Sequence, residues 1–311
     1  MEIKKEFKER IKKLMPDYER FFSYFEKYPL KSIRCNTIKI SPRKLKEKLE
    51  EKEWRIKQPF SKHPEIMVVE NKLSPGDLGK TREHSLGYYY IQGIESMMPI
   101  LALQPKPDEL LLDLTAAPGS KTTQASAMMK NSGTIIANDF KIERIKALIS
   151  NIERCGCSNC IVTRHDAVIL CKKLKKLGIR FDKILIDPSC SGEGTFHRPE
   201  NLRNWQIGRI KTYSWQQKKI SASSIDLLRE NGTLVYSTCT YAPEENEEVV
   251  DFLIKKFNLE LESVKLPLKV REGVEGWEGK KFSDEVRRCI RIYPQDNNTE
   301  GFFLAKLRKI K

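Results

Sequence analysis

The feature that most constrains the fold is a regular alternation of short apolar strands and helices from about residue 108 onward. Strand-type runs are "ELLLDLTAA", "GTIIANDF", "NCIVTRHDA", "FDKILIDPS" and "GTLVYSTC", and helix-type runs are "SKTTQASAMM", "KIERIKALISNIERCG", the segment 201–230 and "PEENEEVVDFLIKKF". Strands that are apolar along their whole length are typical of a parallel sheet covered on both faces. The sequence therefore predicts a doubly wound α/β domain of Rossmann type.

The chain that precedes this domain has a different pattern. Residues 1–30 carry apolar side chains at helical spacing and predict a basic amphipathic helix, in which Phe21, Phe22 and Phe25 are expected to pack into a core. Residues 31–70 predict a strand in "SIRCNTIKI", a helix opened by Ser41 and Pro42, and strands near "WRIKQ" and "IMVVE". The turn-rich segment "KLSPGDLGKTREHSLG" marks a boundary. We predict a small N-terminal helical and α+β module over residues 1–85 and a main domain over residues 86–311.

The charge balance indicates the kind of partner. The chain carries 57 Lys and Arg against 42 Asp and Glu, a net charge of +15, which attracts polyanions such as nucleic acid. A merely solvated Lys- and Glu-rich surface is the alternative. No apolar run approaches the roughly 18 residues of a membrane span, and the charged N-terminus lacks the apolar segment of a secretory signal. These features predict a cytoplasmic protein, whose eight cysteines are then reduced thiols with structural, metal-binding or catalytic roles.

Residues that directly follow the predicted strands are the candidates for a ligand site, because doubly wound sheets bind ligands beyond the carboxyl ends of their strands. The loop "TAAPGSK" has small residues that let a ligand approach the backbone, and it opens a helix. It has neither the three glycines of a dinucleotide fingerprint nor the spacing of a P-loop. Asp139 ends the next strand, where a carboxylate can accept hydrogen bonds from both hydroxyls of a ribose, although an aspartate there can also be only a helix cap. The combination suits S-adenosylmethionine.

Two cysteines lie at the same predicted edge. Cys190 follows "FDKILIDPS", and Cys239 ends "GTLVYSTC". Free cysteine is often only a small buried apolar residue, but a thiol beyond a strand end of this type of sheet is also a candidate nucleophile.

Several motifs together resemble the Sun/Fmu-type RNA cytosine-5 methyltransferase family. They are "AAPGSKT", "ND" with Arg144 five residues past Asp139, "HDA", "DPSCSGEG" and "STCTYAPEENE", and the likeness extends to "RCNTIKI", "YYIQGIESM" and "TEGFFLAKLRK", so that it spans nearly the whole chain. The resemblance implies a methyltransferase fold, S-adenosylmethionine as methyl donor, and an RNA cytosine as acceptor, with tRNA expected first and rRNA second. Many members have proline directly before the first cysteine, whereas Ser189 stands between Pro188 and Cys190 here.

The resemblance also implies roles for single residues. Cys239 is the expected nucleophile, Cys190 assists product release, and Asp187 and Lys121 complete the catalytic set. The expected cofactor-binding residues are Thr115, Ala116, Ala117, Pro118, Gly119, Ser120, Lys121, Asp139, Arg144, Asp166 and Asp187.

Elementary chemistry accounts for the residue types of the catalytic set. Carbon 5 of cytosine is a poor nucleophile, so a thiolate must first add to carbon 6. A carboxyl group near ring nitrogen 3 relieves the developing charge, and a second thiol helps to remove the carbon 5 proton.

Other candidates receive weaker interpretations. Cys155, Cys157 and Cys160 in "CGCSNC" lack a fourth ligand at zinc spacing, so we predict no metal. Trp205, Tyr213 and Trp215 are expected to pack in a core, although they could stack on bases. Phosphate contacts are possible for Arg198, Arg203, Arg209, Lys211, Lys218 and Lys219.

Two other functions fit the sequence less well. An amino-methyltransferase would need an Asn/Asp-Pro-Pro-aromatic stretch, which "DPSC" is not, and a noncatalytic RNA-binding protein of this fold would be expected to have lost a motif cysteine. We expect a monomer, with residues 1–85 as an RNA-binding module.

Overall fold

The computed structural model describes residues 3–25, 27–71, 73–74 and 76–311. The helices are α1 (Lys5–Leu14), α2 (Tyr18–Phe22), α3 (Pro42–Glu50), α4 (Arg82–Ser85), α5 (Ile94–Leu103), α6 (Ser120–Met128), α7 (Ile142–Cys155), α8 (Ala167–Lys176), α9 (Pro199–Asn204), α10 (Ile207–Ser224), α11 (Glu247–Lys256) and α12 (Pro294–Asn297). The strands are β1 (Ser32–Cys35), β2 (Ile56–Lys57), β3 (Ile66–Val69), β4 (Tyr89–Ile91), β5 (Leu110–Asp113), β6 (Thr134–Asp139), β7 (Cys160–Arg164), β8 (Phe181–Ile186), β9 (Leu228–Thr238), β10 (Leu259–Glu262), β11 (Arg271–Glu272), β12 (Gly276–Trp277), β13 (Lys280–Lys281), β14 (Ile290–Ile292) and β15 (Phe302–Lys309).

The main sheet has the order β11-β14-β15-β9-β8-β5-β6-β7, with β10 also paired to β15. Strands β5 to β9 are parallel, and β15 is antiparallel to β9. Residues of β8 alternate between two apolar cores, since Leu185 belongs to one, and Ile184 and Ile186 belong to the other. The predicted doubly wound sheet, buried on both faces, is confirmed. The chain order reverses between β5 and β8, and such a switch point opens a crevice at the carboxyl edge.

In the main domain the structure differs from the sequence prediction in several places. Helix α8 was not predicted. The long helix expected over 201–230 is divided into α9 and α10, and its last residues begin β9. Strands β10, β11 and β14 add an antiparallel extension, and α11 begins only at Glu247, because residues 243–246 form a turn.

The small N-terminal sheet has the order β2-β3-β1-β4, all antiparallel, and α3 packs beside it. The predicted start of α3 is confirmed, because the Ser41 hydroxyl accepts a hydrogen bond from the Lys44 N–H at 3.4 Å. Strand β4 lies beyond residue 85, so the division of the chain at that point stays a prediction.

Helices α1 and α2 replace the single helix expected over residues 1–30. They are separated at residues 15–17, where Pro16 lacks the N–H group that a continuous helix would use. Both pack on the main domain: Phe7 contacts Phe196 and Trp205, and Phe21 contacts Tyr241. The predicted core packing is confirmed for Phe21 and Phe25, which are buried, and Phe22 packs at the edge of the same cluster.

Within the described ranges, no helix is both long enough and apolar enough to cross a membrane.

Candidate active site

The carboxyl edge of the parallel strands gathers the predicted site residues. A cavity of about 490 Å³, here called the cofactor cavity, opens there and is lined by residues that follow β5, β6, β7 and β8, and by one face of α10. Of the predicted cofactor-binding residues, four line it: Thr115, Asp139, Arg144 and Asp166. Phe140, whose ring is 65% exposed, also lines it and was not predicted from the sequence.

The loop that opens α6 runs alongside this cavity. Gly119 has a φ of +102°, and a Cβ atom there would lie 2.9 Å from Leu148 Cδ1, so the position requires glycine. The Arg144 guanidinium donates to the Ala117 carbonyl oxygen and fixes the loop from outside. Two other loop residues, Pro118 and Ser120, line a different cavity, which is described below.

Asp139 carries the observation that fits a ribose. Its Oδ1 atom accepts hydrogen bonds from the N–H groups of Phe140 (2.8 Å) and Lys141 (3.2 Å). Its buried Oδ2 atom has no hydrogen-bond partner among the described residues. Arg144 Nη1 lies 3.3 Å from Oδ2, close enough for an ion pair but not aligned for a hydrogen bond. A buried acceptor without a donor is costly unless a ligand supplies one, so the residues present fit a bound nucleoside.

Asp166 has a structural role that is visible without a ligand. Its Oδ1 atom accepts hydrogen bonds from the N–H groups of Val168 (3.0 Å) and Ile169 (3.1 Å), which makes it the N-cap of α8. Because it also lines the cofactor cavity, a cofactor contact stays a prediction.

The two motif cysteines are in contact. Cys190 Sγ lies 3.3 Å from Cys239 Sγ, and both residues are half-buried. They line a second cavity of about 320 Å³, here called the thiol cavity, together with Asn201, Arg209 and Tyr213. The hydrogen bond with Cys239 and burial raise the pKa of the Cys190 thiol well above its usual value. Cys190 therefore keeps its proton while the pair is intact.

A carboxylate and an ammonium group lie close to the thiols. Lys121 Nζ donates to Asp187 Oδ2 at 2.6 Å and to Ser96 Oγ at 3.2 Å. The Ser237 hydroxyl donates to Asp187 Oδ1 at 2.8 Å. Because Ser237 belongs to the strand that ends one residue before Cys239, Asp187 is held between the two motif segments.

Two buried glutamates brace the loops that carry the thiols. Glu193, in the Cys190 loop, accepts hydrogen bonds from the Thr240 hydroxyl (3.1 Å) and the Tyr241 N–H (3.2 Å) of the Cys239 loop. Reciprocally, Glu245 of the Cys239 loop accepts from the Ser191 N–H at 3.1 Å. Burial raises the pKa of both glutamates, to about 8 for Glu245. Sequence reasoning missed both, although they stand in the quoted motifs "DPSCSGEG" and "STCTYAPEENE".

Helix α10 separates the two cavities. Tyr213 lines both, and Gln217, one helical turn further on, lines the cofactor cavity. Gln217 Nε2 donates to the Ser189 carbonyl oxygen (3.0 Å) and to Glu245 Oε2 (2.8 Å), and so links the Cys190 loop to the Cys239 loop. The expected core packing is confirmed for Trp205, which is 4% exposed, and is wrong for Trp215, which is 62% exposed and lines the cofactor cavity.

The basic residues predicted to contact phosphate have different surroundings. Lys218 pairs with Glu248 at 2.8 Å, Lys219 lies over the Trp215 ring, and Arg209 lines the thiol cavity. Phosphate contacts by these residues stay a prediction.

The cysteine cluster of "CGCSNC" lies away from the thiol pair. Cys155 ends α7 and is buried, as is Cys157, and Cys160 begins β7. Within the part of the chain that the structure describes, no group of three or more potential ligands is arranged to hold a metal. The absence of zinc stays a prediction, for which elemental analysis is the test.

Comparisons with known proteins agree with this geometry. A family model described as 16S rRNA methyltransferase RsmB/F matches residues 100–308, and one described as the N-terminal domain of 16S rRNA methyltransferase RsmF matches residues 3–94. The tRNA (cytosine(49)-C(5))-methyltransferase of Pyrococcus abyssi is 43% identical over 99% of both chains. Ribosomal RNA small subunit methyltransferase F of Vibrio cholerae is 37% identical over 96% of this chain, which spans 62% of that protein's length.

Solved structures are also similar to this chain over most of its length. A methyltransferase homolog protein from Pyrococcus horikoshii has a TM-score of 0.85 at 33% identity and matches 99% of this chain and 95% of its own. NSun6 from the same organism, solved with SFG, has a TM-score of 0.85 at 26% identity and matches 99% of this chain and 98% of its own.

Fold and site together define an S-adenosylmethionine-dependent methyltransferase with a thiol pair beside its cofactor cavity. The chain belongs to the RsmB/F family of RNA methyltransferases. The family predicted from the motifs is confirmed, and with it the α/β methyltransferase fold, S-adenosylmethionine as cofactor, and methylation of carbon 5 of an RNA cytosine as the reaction.

Proposed function

We propose that this enzyme methylates a cytosine of tRNA through a covalent bond between Cys239 and carbon 6 of the base. The observation that carries the proposal is the thiol pair, 3.3 Å apart, beside the Asp187 carboxylate. For tRNA rather than rRNA, the support is the 43% identity, over the full length of both chains, to a protein named as a tRNA methyltransferase. An rRNA cytosine is the second candidate, because other relatives are named as rRNA methyltransferases.

The first step needs a thiolate and a neighbouring acid. Cys190 keeps its proton because its pKa is raised, and that S–H group can stabilise a thiolate on Cys239 by donating a hydrogen bond to it. Attack of Cys239 on carbon 6 places negative charge on the ring. Lys121 and Ser237 donate hydrogen bonds to the two oxygens of Asp187. In this position Asp187 can share a proton with ring nitrogen 3 and so stabilise the charge.

The second step uses the other thiol. S-adenosylmethionine supplies an electrophilic methyl group, and the residues that would hold it are Thr115, Asp139, Arg144 and Asp166 around the cofactor cavity. Once Cys239 is bonded to carbon 6, its hydrogen bond to Cys190 is lost, and with it the largest cause of the raised pKa of Cys190. Cys190 can then lose its proton more readily and act as the base that removes the carbon 5 proton, which expels Cys239.

The proposal extends to the role of the N-terminal module, the assembly state and the cellular location. Residues 1–85 act as an RNA-binding module, the enzyme works as a monomer, and it works in the cytoplasm. The basic composition of this segment supports the first, since residues 1–85 carry 22 Lys and Arg against 14 Asp and Glu.

The test is incubation of the purified enzyme with labelled S-adenosylmethionine and total RNA of the host, followed by bisulfite mapping of new 5-methylcytosines. We expect label in tRNA at a defined cytosine. Label confined to rRNA would transfer the proposal to the second candidate, and no label in any RNA would contradict it.

A further inference from the structure

A third cavity, here called the interface cavity, lies between the small N-terminal sheet and the catalytic part of the chain. Its volume is about 500 Å³, and it shares no lining residue with the cofactor cavity or the thiol cavity among the residues that the structure describes. The N-terminal side contributes the segments around Tyr28 and Tyr90. The catalytic side contributes Ser96, Ser120 and Arg198. None of the reaction steps above uses this cavity.

The interface cavity borders the reacting groups. Ser96, in its wall, accepts a hydrogen bond from the Lys121 ammonium, which also contacts Asp187. Glu300, also in its wall, precedes Gly301, whose N–H donates to the Gly194 carbonyl oxygen at 3.0 Å. The Gly194 N–H in turn donates to the Cys239 carbonyl oxygen at 2.9 Å. Hydrogen bonds therefore connect the wall of the interface cavity both to Asp187, through Lys121, and to the backbone of Cys239.

The rim combines apolar surface with positive charge. Tyr28 is 77% exposed, and Leu30 and Ile91 are exposed to 42% and 40%. Single exposed apolar residues are normal on a protein surface, but these three line one cavity and give it an apolar wall. Two cations, Lys31 and Arg198, line the same cavity. An exposed ring beside cations is the composition with which proteins hold an unpaired nucleotide, since the base stacks and the phosphate pairs.

The acidic groups of the cavity oppose an anionic ligand only weakly. Glu300 forms an ion pair with Arg198, with 3.0 Å between Oε1 and Nη2, so the two side chains together add no net charge and the positive charge of the wall is that of Lys31. Burial and the neighbouring Glu300 raise the pKa of Glu95, which reduces its negative charge near neutral pH. Burial also lowers the pKa of His197 to about 4, so this ring, which contacts the Tyr28 ring edge-to-face, is neutral at pH 7.

We propose that the interface cavity binds the unpaired nucleotide that adjoins the target cytosine, with its base on the Tyr28 ring and its phosphate near Lys31 and Arg198. This inference rests on the proposed function, because it presupposes an RNA cytosine at Cys239. Its consequence is a requirement on the substrate: the target and one neighbour must both leave the base stack, which selects loops, junctions and distorted helices over regular duplex.

The experiment uses the RNA in which bisulfite mapping has located the methylated cytosine. That cytosine is replaced by 5-fluorocytosine, from which the enzyme cannot eliminate the substituent, so that the covalent adduct accumulates and its rate of formation can be followed on denaturing gels. Two further RNAs lack the base of the 5′ or the 3′ neighbour. Each RNA is tested with the wild type, Tyr28→Ala, Tyr28→Phe and, as a control at an exposed apolar residue that does not line the cavity, Leu86→Ala.

The expected loss is the contribution of one stacked base. Tyr28→Ala should lower the second-order rate of adduct formation by about 5–150-fold, and removal of one neighbouring base should lower it equally. The two changes together should cost no more than either alone, because they delete the same contact. Tyr28→Phe keeps the ring and should retain most of the rate, and Leu86→Ala should leave it unchanged.

Three outcomes would overturn the inference. An unchanged rate for Tyr28→Ala would remove the ring from the RNA path. Losses that multiply at both neighbouring positions would show that the ring and the missing bases act separately, while the proposed function still stood. If the wild type formed no adduct with any RNA, the covalent mechanism itself would fail, and this inference would fail with it.

Discussion

At the scale of single residues, the two thiols divide one reaction between them. Their contact distance of 3.3 Å brings both within reach of one base, and the raised pKa of Cys190 distinguishes them chemically. Sequence alone places both cysteines beyond strand ends, but it cannot show that their sulfurs touch.

The first prediction follows from that division. Cys239→Ala should methylate nothing and form no RNA adduct, because no later step can begin without the attack on carbon 6. Cys190→Ala should attack and transfer the methyl group, and then remain attached to RNA through Cys239. A denaturing gel should show a shifted band for Cys190→Ala and none for the double variant. A shifted band with Cys239→Ala alone would reverse the two roles.

The second prediction concerns Asp139. Asp139→Asn keeps an oxygen that can accept from the Phe140 and Lys141 N–H groups, but it puts an amide nitrogen where the unpartnered Oδ2 lies. A charge-assisted hydrogen bond contributes about 1.5–3 kcal/mol, so affinity for S-adenosylmethionine should fall by roughly one to two orders of magnitude. Calorimetric titration measures it, and equal affinities for variant and wild type would exclude Asp139 from the site.

At the scale of elements, the carboxyl edge of the parallel strands brings the site residues together, and contacts between the loops hold them in place. Glu193 and Glu245 each reach from one thiol loop to the other, so neither loop can shift alone. Hydrogen bonds between loops that are distant in the sequence leave no periodic pattern in it. Strands β5 to β9 could be predicted from the sequence, because short segments that are apolar along their whole length are typical of buried parallel strands. The hydrogen bonds of Glu193 and Glu245 could not be predicted, because they depend on a tertiary contact between the two loops.

The third prediction concerns the pH dependence of stability. The folded-state pKa of Glu245 is about 8 against an ordinary 4.5, so the native state binds more protons than the unfolded state between these values. The free energy of unfolding contributed by this group is therefore highest below pH 4.5 and decreases as the pH rises to 8. Glu245→Gln carries no titrating group and should flatten this decrease, as urea unfolding at pH 5, 7 and 8.5 would measure.

The control for this prediction is Glu275→Gln, whose carboxylate lies in an exposed ion pair with Arg287. It should leave the pH profile between 5 and 8.5 unchanged, because its pKa is lowered from 4.5 and it is already charged throughout that range. The same slope in Glu245→Gln and wild type would mean that Glu245 is ionised at neutral pH in the fold.

Helix α8 and the end of the 201–230 helix show where element prediction failed. Helix α8 follows β7 after two residues, and its start is set by the Asp166 side chain, which sequence analysis had assigned to the cofactor. Residues 228–230 look helical by local composition, but they begin β9, where Leu228 pairs with Phe181 of β8. In both places a tertiary or capping contact overrides the local pattern.

At the scale of the whole molecule, the N-terminal helix belongs to the catalytic structure. Arg10 donates to both carboxylate oxygens of Glu244 at 3.0 and 2.7 Å, and both side chains are nearly buried. Glu244 adjoins the brace residue Glu245, so α1 supports the Cys239 loop from outside.

The fourth prediction tests this support. Arg10→Met removes one partner of a largely buried ion pair and should lower the free energy of unfolding by about 3 kcal/mol, since it leaves the Glu244 carboxylate without its cation. The double variant Arg10→Met/Glu244→Gln removes the stranded charge and should recover most of that loss. Chemical denaturation measures both, and equal losses in the single and double variants would show that the ion pair contributes little.

The docking of α1 has a consequence for the order of assembly. Arg10 and Glu244 are 234 residues apart in sequence, and Phe21 packs on Tyr241. As the chain leaves the ribosome, α1 emerges before the segment around residue 241, and its apolar face stays uncovered until that segment follows. Contacts of such long range form slowly. The thiol loops are therefore completed only after residue 241 has been added, and a nascent chain that stops short of that residue lacks both the complete nucleophile loop and the docked position of α1.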